Sequence, residues 1–127
     1  MSMNTWAEYG MGLVLFDEEI DMLLEKTGCE DVYDLVEAHD DSGHMWRYYD
    51  EDMDGRTFHS FDGRVIEEHR DMLVIWADRK MQPYKAAYSG PEELRAELQE
   101  AVGGKDMFPE DFDWDGHIGE FSVTIYC

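Results

Sequence analysis

Met72-Leu73-Val74-Ile75-Trp76 is the stretch of sequence that most directly decides the fold. Five consecutive apolar residues without polar alternation are typical of a central strand that is buried on both faces. Two further patterns predict strands: residues 10–16 form a second apolar run, and residues 121–126 alternate as a half-buried strand does. Weaker patterns predict strands at residues 45–49, 56–61 and 84–88, with an acidic turn joining the first two.

Three segments carry helix patterns. The first covers residues 17–26, with Asp17 as the expected N-cap and Gly28 as the C-terminal stop. The second covers residues 30–39, and the third begins at Pro91 and ends at Gly103-Gly104. Helical spacing predicts that the first two helices bury Ile20, Leu23, Leu24, Val32, Leu35 and Val36.

The order of these elements predicts the fold class. Helices that interrupt and follow runs of strands are typical of an α+β domain with a mostly antiparallel sheet. We therefore expect residues 1–127 to form a single acidic α+β domain, with about four to six strands and about three helices packed on the sheet.

Charge is the most unusual property of the chain. It holds 31 acidic and 10 basic residues among 127, a formal net charge of −21. Disorder is the usual outcome of such an excess, but 43% hydrophobic residues and 13% aromatic residues argue against it. Residues 1–40 carry −10 and residues 103–127 carry −5, so the two ends would form one acidic face if they met.

The same composition limits the compartment and the partners. The sequence contains no apolar run of membrane-spanning length and no basic, apolar leader, which predicts a soluble protein in the cytoplasm of the host cell. Cys29 and Cys127 form no CxxC pair, which favours reduced thiols. Membranes and nucleic acids are anionic, so we expect a basic protein partner and no direct contact with either.

Three carboxylates on the first helix are candidate partner-binding residues. Asp17, Asp21 and Glu25 fall at i, i+4 and i+8, which places them in one row about 5–6 Å apart at Cβ. Each like-charged pair destabilises the helix by a few tenths of a kcal/mol, so a binding role would explain the row. A solvated helix face is the alternative interpretation.

A second candidate lies at residues 109–116, where acids alternate with aromatic residues. In an extended chain Asp111, Asp113 and Asp115 would point one way at intervals of roughly 6.6–7 Å, close to the spacing of phosphates. Trp114 is the aromatic residue included in this partner-binding set. The alternative is an aromatic anchor that holds an acidic loop against the core.

The sequence contains few motifs that would indicate a metal site or a catalytic site. Asp50, Asp52 and Asp54 match the first half of a calcium loop, but Phe61 occupies the position of its bidentate Glu. An acidic hairpin turn is the favoured interpretation. The five histidines lack zinc-ligand spacing, and no nucleophile or phosphate-binding motif is present. We therefore expect no cofactor, no metal site and no enzymatic activity.

In size and charge the chain resembles the DNA-mimic proteins that phages and mobile elements use against restriction or CRISPR nucleases. That resemblance implies a small stoichiometric inhibitor, of anti-CRISPR or anti-restriction type, that blocks the cationic groove of a nucleic-acid-handling protein. An immunity protein that neutralises a basic toxin is a related hypothesis. A divalent-cation-binding or structural interaction domain, kept soluble by its acidity, is the alternative from another class.

Overall fold

The computed structural model describes residues 5–39, 44–49, 57–60, 63–66, 71–77 and 91–126. Three helices are present in these ranges: α1 (Asp17–Thr27), α2 (Val32–Ala38) and α3 (Pro91–Val102). A 3-10 turn, Lys105–Met107, follows α3. The strands are β1 (Thr5–Leu15), β2 (Trp46–Tyr49), β3 (Thr57–Ser60), β4 (Val65–Ile66), β5 (Met72–Trp76) and β6 (Ile118–Tyr126).

All six strands belong to one sheet in the order β2-β5-β1-β6-β3-β4, and every neighbouring pair is antiparallel. The α+β prediction is therefore confirmed. The longest pairing joins β1 to β6, from Thr5 opposite Tyr126 to Leu13 opposite Ile118. This pairing places the first and last described strands, near the two ends of the chain, side by side.

The predicted buried strand is an interior strand of this sheet. All five residues of β5 have no exposed surface. Leu73 and Ile75 face the core that also contains the apolar residues of the three helices, whereas Met72, Val74 and Trp76 face a second core on the opposite side. A strand between two cores cannot alternate with polar residues, which explains its continuous apolar sequence.

The sheet curls toward this second core. Tyr49 on the edge strand β2 and Phe121 on β6 are separated by three strand intervals, about 14 Å on a flat sheet. Their ring centroids nevertheless lie 5.3 Å apart, and Trp76 also contacts Phe121 at 5.6 Å. The aromatic face is therefore concave, and the helices pack on the convex face.

Gly119 allows β3 to approach β6 closely. A Cβ atom at this position would collide with the carbonyl oxygen of His59 and would lie 2.6 Å from the Cα of Ser60. Because both obstacles are backbone atoms, a side chain here would have to push the strands apart.

The helix boundaries largely agree with the sequence analysis, but the start of α1 differs. Phe16, not Asp17, occupies the N-cap position, and its backbone N–H donates to Glu19 Oε1 at 3.0 Å. Glu19 thus forms the half of a capping box in which the N3 side chain accepts from the N-cap backbone; a phenylalanine has no side-chain acceptor for the other half. Gly28 ends the helix with a positive φ of 78°, as predicted. Helix α2 is shorter than predicted and begins after Asp31, whose side chain accepts from the Asp34 N–H at 2.9 Å.

The predicted hairpin between residues 45–49 and 56–61 is wrong. Strand β2 lies at one edge of the sheet and pairs with β5, whereas β3 pairs with β6 and β4. Sequence neighbours do not pair here because β1, β5 and β6 occupy the places between them. The two-residue strand β4 was not predicted, and the predicted strand at residues 84–88 lies outside the described residues.

Candidate protein-binding face

The carboxylate row of α1 is exposed as predicted. Asp17, Asp21 and Glu25 are all exposed on the helix that begins at Asp17. The row extends over eight residue steps, about 12 Å along the helix axis. Within the described residues these side chains form no hydrogen bond and no ion pair, so their charge is available to a partner.

The row belongs to a larger acidic surface that covers α1, α2 and the turn between them. Residues 17–38 contain nine acids, and eight of them are exposed; only Glu19 is buried. Lys26 is the single base in this range, and its Nζ donates to the backbone carbonyl of Asp106 at 2.5 Å. We call this surface the acidic face; it consists of Asp17, Glu18, Asp21, Glu25, Glu30, Asp31, Asp34 and Glu37.

The second candidate segment is not extended. Residues 109–117 form successive turns, in which Phe112 N donates to Pro109 O at 2.9 Å and His117 N donates to Trp114 O at 2.9 Å. The regular carboxylate spacing expected for an extended chain is therefore absent. Phe112 and Trp114 pack on the helix-side core and contact Phe108, with ring centroids 4.5 and 5.4 Å away. These contacts anchor the segment to the core.

Two carboxylates of this segment are paired with arginines. Asp113 Oδ2 lies 2.6 Å from Arg64 Nη2, and Asp115 Oδ1 lies 2.7 Å from Arg95 Nη1. Asp111 is exposed. These ion pairs could not be predicted from local sequence patterns, because the partners are 49 and 20 residues apart. Each pair offsets part of the negative charge that this segment presents.

His117 connects this segment to the start of α1. Its Nδ1 lies 2.8 Å from the carbonyl oxygen of Asp113, and its Nε2 lies 3.3 Å from Glu19 Oε1. Both neighbours are acceptors, and a neutral imidazole can donate from only one nitrogen. Burial by itself lowers the pKa of His117, but the hydrogen bonds to Glu19 and Asp113 outweigh it and raise the pKa above 6.5.

The described residues contain no group of three histidine, cysteine or acidic side chains that could hold a metal ion. Asp50, Asp52 and Asp54, the calcium candidates, lie outside the described ranges. His39 stacks on Trp46 with ring centroids 3.8 Å apart, and His44 Nδ1 lies 3.1 Å from the carbonyl oxygen of Trp76.

The sequence matches no protein-family model, no curated protein and no solved structure at a significant level. Among the described residues, no helix has the length and apolar character that crossing a membrane requires.

Proposed function

We propose that the protein is a stoichiometric inhibitor that binds the cationic nucleic-acid groove of a nuclease or of another nucleic-acid-handling protein. The acidic face is the observation that carries this proposal. It places eight exposed carboxylates on two adjacent helices and the turn between them, and the only base in that range is held by a backbone carbonyl. Such a surface repels itself, and a basic partner would relieve that repulsion.

In this proposal the carboxylates take the place of phosphates. Opposite charges would steer the two proteins together and raise the association rate, and the exposed row of Asp17, Asp21 and Glu25 would occupy the groove. No bond is made or broken, so the function needs no cofactor. The inhibitor would act in the cytoplasm of the host cell and would bind neither nucleic acid nor membrane.

The segment at residues 109–117 has a secondary place in this proposal. Asp113 and Asp115 are already paired with arginines, so they would add less to binding than the unpaired row on α1. Asp111 is exposed and unpaired among the described residues, and Trp114 holds the segment to the core. We therefore assign the main contact to α1 and the supporting contact to Asp111.

A panel of purified nucleases tests the proposal. It contains restriction endonucleases, CRISPR effector nucleases and basic toxin nucleases, because an immunity protein would use the same acidic face. We expect DNA cleavage by at least one of them to stop at an inhibitor-to-enzyme ratio near unity. Inhibition that appears only at a large excess of the protein, or inhibition of none of the enzymes, would contradict stoichiometric inhibition of a nuclease.

The contribution of the row is measured with the variant Asp17→Asn, Asp21→Asn, Glu25→Gln. Affinity for the inhibited nuclease should fall by roughly tenfold or more, mainly through a slower association rate. The loss should shrink as salt rises and the Debye length falls below about 8 Å.

The matched control removes the same number of charges elsewhere, at Glu92, Glu100 and Glu120, which are also exposed. It should change affinity much less than the α1 variant. Equal losses in both variants would mean that only net charge matters and that the row has no special role.

A further inference from the structure

A cavity of about 370 Å³ lies between α2 and the edge strand β2. Helix α2 contributes Tyr33, Val36 and Glu37, which share one face because they stand at i, i+3 and i+4. Strand β2 contributes Trp46 and Tyr48, which share one face because they stand at i and i+2. We call this cavity, which is also lined by Arg47, the tyrosine pocket.

Two perpendicular aromatic rings form its corner. The rings of Tyr33 and Tyr48 have centroids 5.4 Å apart and an interplanar angle of 76°. Tyr33 is 63% exposed, although a tyrosine ring is largely apolar. In such an edge-to-face pair the positive edge of one ring meets the negative face of the other, and the exposed part of the Tyr33 ring can still offer its negative face to a cation.

Glu37 is the charged side chain on the same face as these rings. Arg47 also lines the pocket, but its guanidinium carbon lies 6.0 Å from the centroid of the Tyr49 ring, which is not part of the lining. The pocket therefore combines aromatic faces with a carboxylate, which is the chemistry that recognises an organic cation.

The surroundings strengthen the negative potential. Burial is the main reason that the pKa of the Tyr48 phenol is raised, and the hydrogen bond and charge of Asp71 raise it further. The charge of Asp17, the first residue of α1, acts in the same direction as a smaller contribution. Glu37 itself belongs to the acidic face.

We propose that the tyrosine pocket binds one arginine side chain of the basic partner, with its guanidinium stacked on a tyrosine ring and paired with Glu37. A guanidinium fits better than an ammonium because it is planar, is more weakly hydrated and forms two parallel hydrogen bonds to one carboxylate. That the arginine belongs to a partner protein rests on the proposed function; the preference of the pocket for a guanidinium does not.

The test uses Nα-acetyl-arginine amide as the probe and follows the backbone amide resonances of the protein by NMR. We expect saturable shifts at Tyr33, Glu37 and Tyr48, with a dissociation constant on the order of 1–10 mM. Nα-acetyl-citrulline amide has nearly the same shape but no charge, and it should bind about tenfold more weakly or worse.

Two variants test the assigned contacts. Tyr33→Leu and Glu37→Gln should each weaken binding of the arginine probe by about fivefold, and both positions are exposed enough to leave the fold intact. Glu30→Gln removes the same charge from the acidic face outside the pocket and should change the affinity by less than about twofold.

Several results would overturn the assignment. Equal binding of the citrulline and arginine probes would exclude recognition of the charge, and tighter binding of Nα-acetyl-lysine amide or of tetramethylammonium would exclude a guanidinium site. If Glu30→Gln and Glu37→Gln weakened binding of the arginine probe equally, the probe would be responding to net charge and not to a contact with Glu37. Absence of probe binding while a nuclease is still inhibited rejects the pocket alone, whereas probe binding without inhibition of any nuclease rejects the proposed function alone.

Discussion

At the scale of single residues, His117 has the clearest chemical role. It holds the turn at Asp113 and the buried carboxylate of Glu19, which in turn caps α1. The rings of Phe16 and Phe112 pack against it, with centroids 5.8 and 4.6 Å away. The imidazole of His117 thus connects the first helix to the last loop of the described chain.

The pH dependence of stability follows from this contact. Because the pKa of His117 is raised in the folded protein, its stabilising effect is complete below the unfolded-state pKa of about 6.5 and is lost as pH rises through the folded-state pKa. We expect His117→Gln to reduce the free energy of unfolding by about 1–2 kcal/mol near pH 6, and by less at higher pH.

Urea denaturation at a series of pH values measures this difference, with His59→Gln as the control because His59 is exposed. A deficit of His117→Gln that stays constant, or grows, as pH rises would contradict a charged His117.

Among single residues, the sequence predicted positions that depend on local spacing but not contacts between distant segments. The exposed row of α1 was predictable, because helical spacing alone places Asp17, Asp21 and Glu25 on one side of a helix. The pairing of Asp113 with Arg64 was not, because it depends on the long-range approach of two loops. The same holds for Tyr33, which meets Tyr48 only because α2 packs beside β2.

At the scale of elements, strands β3 and β6 approach so closely at Gly119 that there is no space for a side chain. We expect Gly119→Ala to reduce the free energy of unfolding by roughly 1–3 kcal/mol or more, because the new methyl group meets backbone atoms of β3 that cannot rotate away. The urea denaturation midpoint measures the loss.

Glu120→Ala on the same strand provides the comparison, since Glu120 is exposed and its replacement should change stability by less than about 0.5 kcal/mol. If the two variants were equally stable, the close approach of His59 to Gly119 would be disproved.

Helix α1 should tolerate the loss of its carboxylate row. Asp17→Asn, Asp21→Asn, Glu25→Gln removes two like-charged i, i+4 pairs, each unfavourable by a few tenths of a kcal/mol. The same change removes a favourable interaction of Asp17 with the helix dipole, which is similar in size. We therefore expect the melting temperature to stay the same or to rise slightly, and a clear fall would show that the row stabilises the fold.

Local patterns predicted these elements better than they predicted the pairing of strands. Residues 72–76 and 17–26 were recognised because continuous apolar character and helical spacing are properties of the segment itself. The predicted hairpin between β2 and β3 was wrong because it assumed that strands adjacent in sequence pair with each other. In the structure β2 pairs with β5 and β3 pairs with β6, and both partners come later in the chain. Strand β4 has two residues, too few for any periodic pattern.

At the scale of the whole molecule, the net charge of −21 should make stability depend on salt. Raising NaCl from about 0.01 to about 0.15 M shortens the Debye length from about 30 to about 8 Å and screens repulsion among the exposed carboxylates. We expect the free energy of unfolding to rise by roughly 1 kcal/mol, as several like-charged pairs each contribute a few tenths.

Urea denaturation at each salt concentration measures the rise, and the α1 amide variant should show a smaller one. Stability that is flat or decreasing over this range would mean that the carboxylates are compensated in the fold.

The position of β6 also has a consequence for the order of folding. This strand follows every other described element in the chain, yet it lies between β1 and β3 in the sheet. Its pairing with β1 joins Thr5 to Tyr126, so nearly the whole chain forms the loop that must close. During synthesis, β1 and β3 therefore remain without their shared neighbour until β6 leaves the ribosome, and the complete sheet forms only after translation of that strand. Until then, we expect the like charges near the start of the chain to oppose association of nascent chains whose strand edges are open.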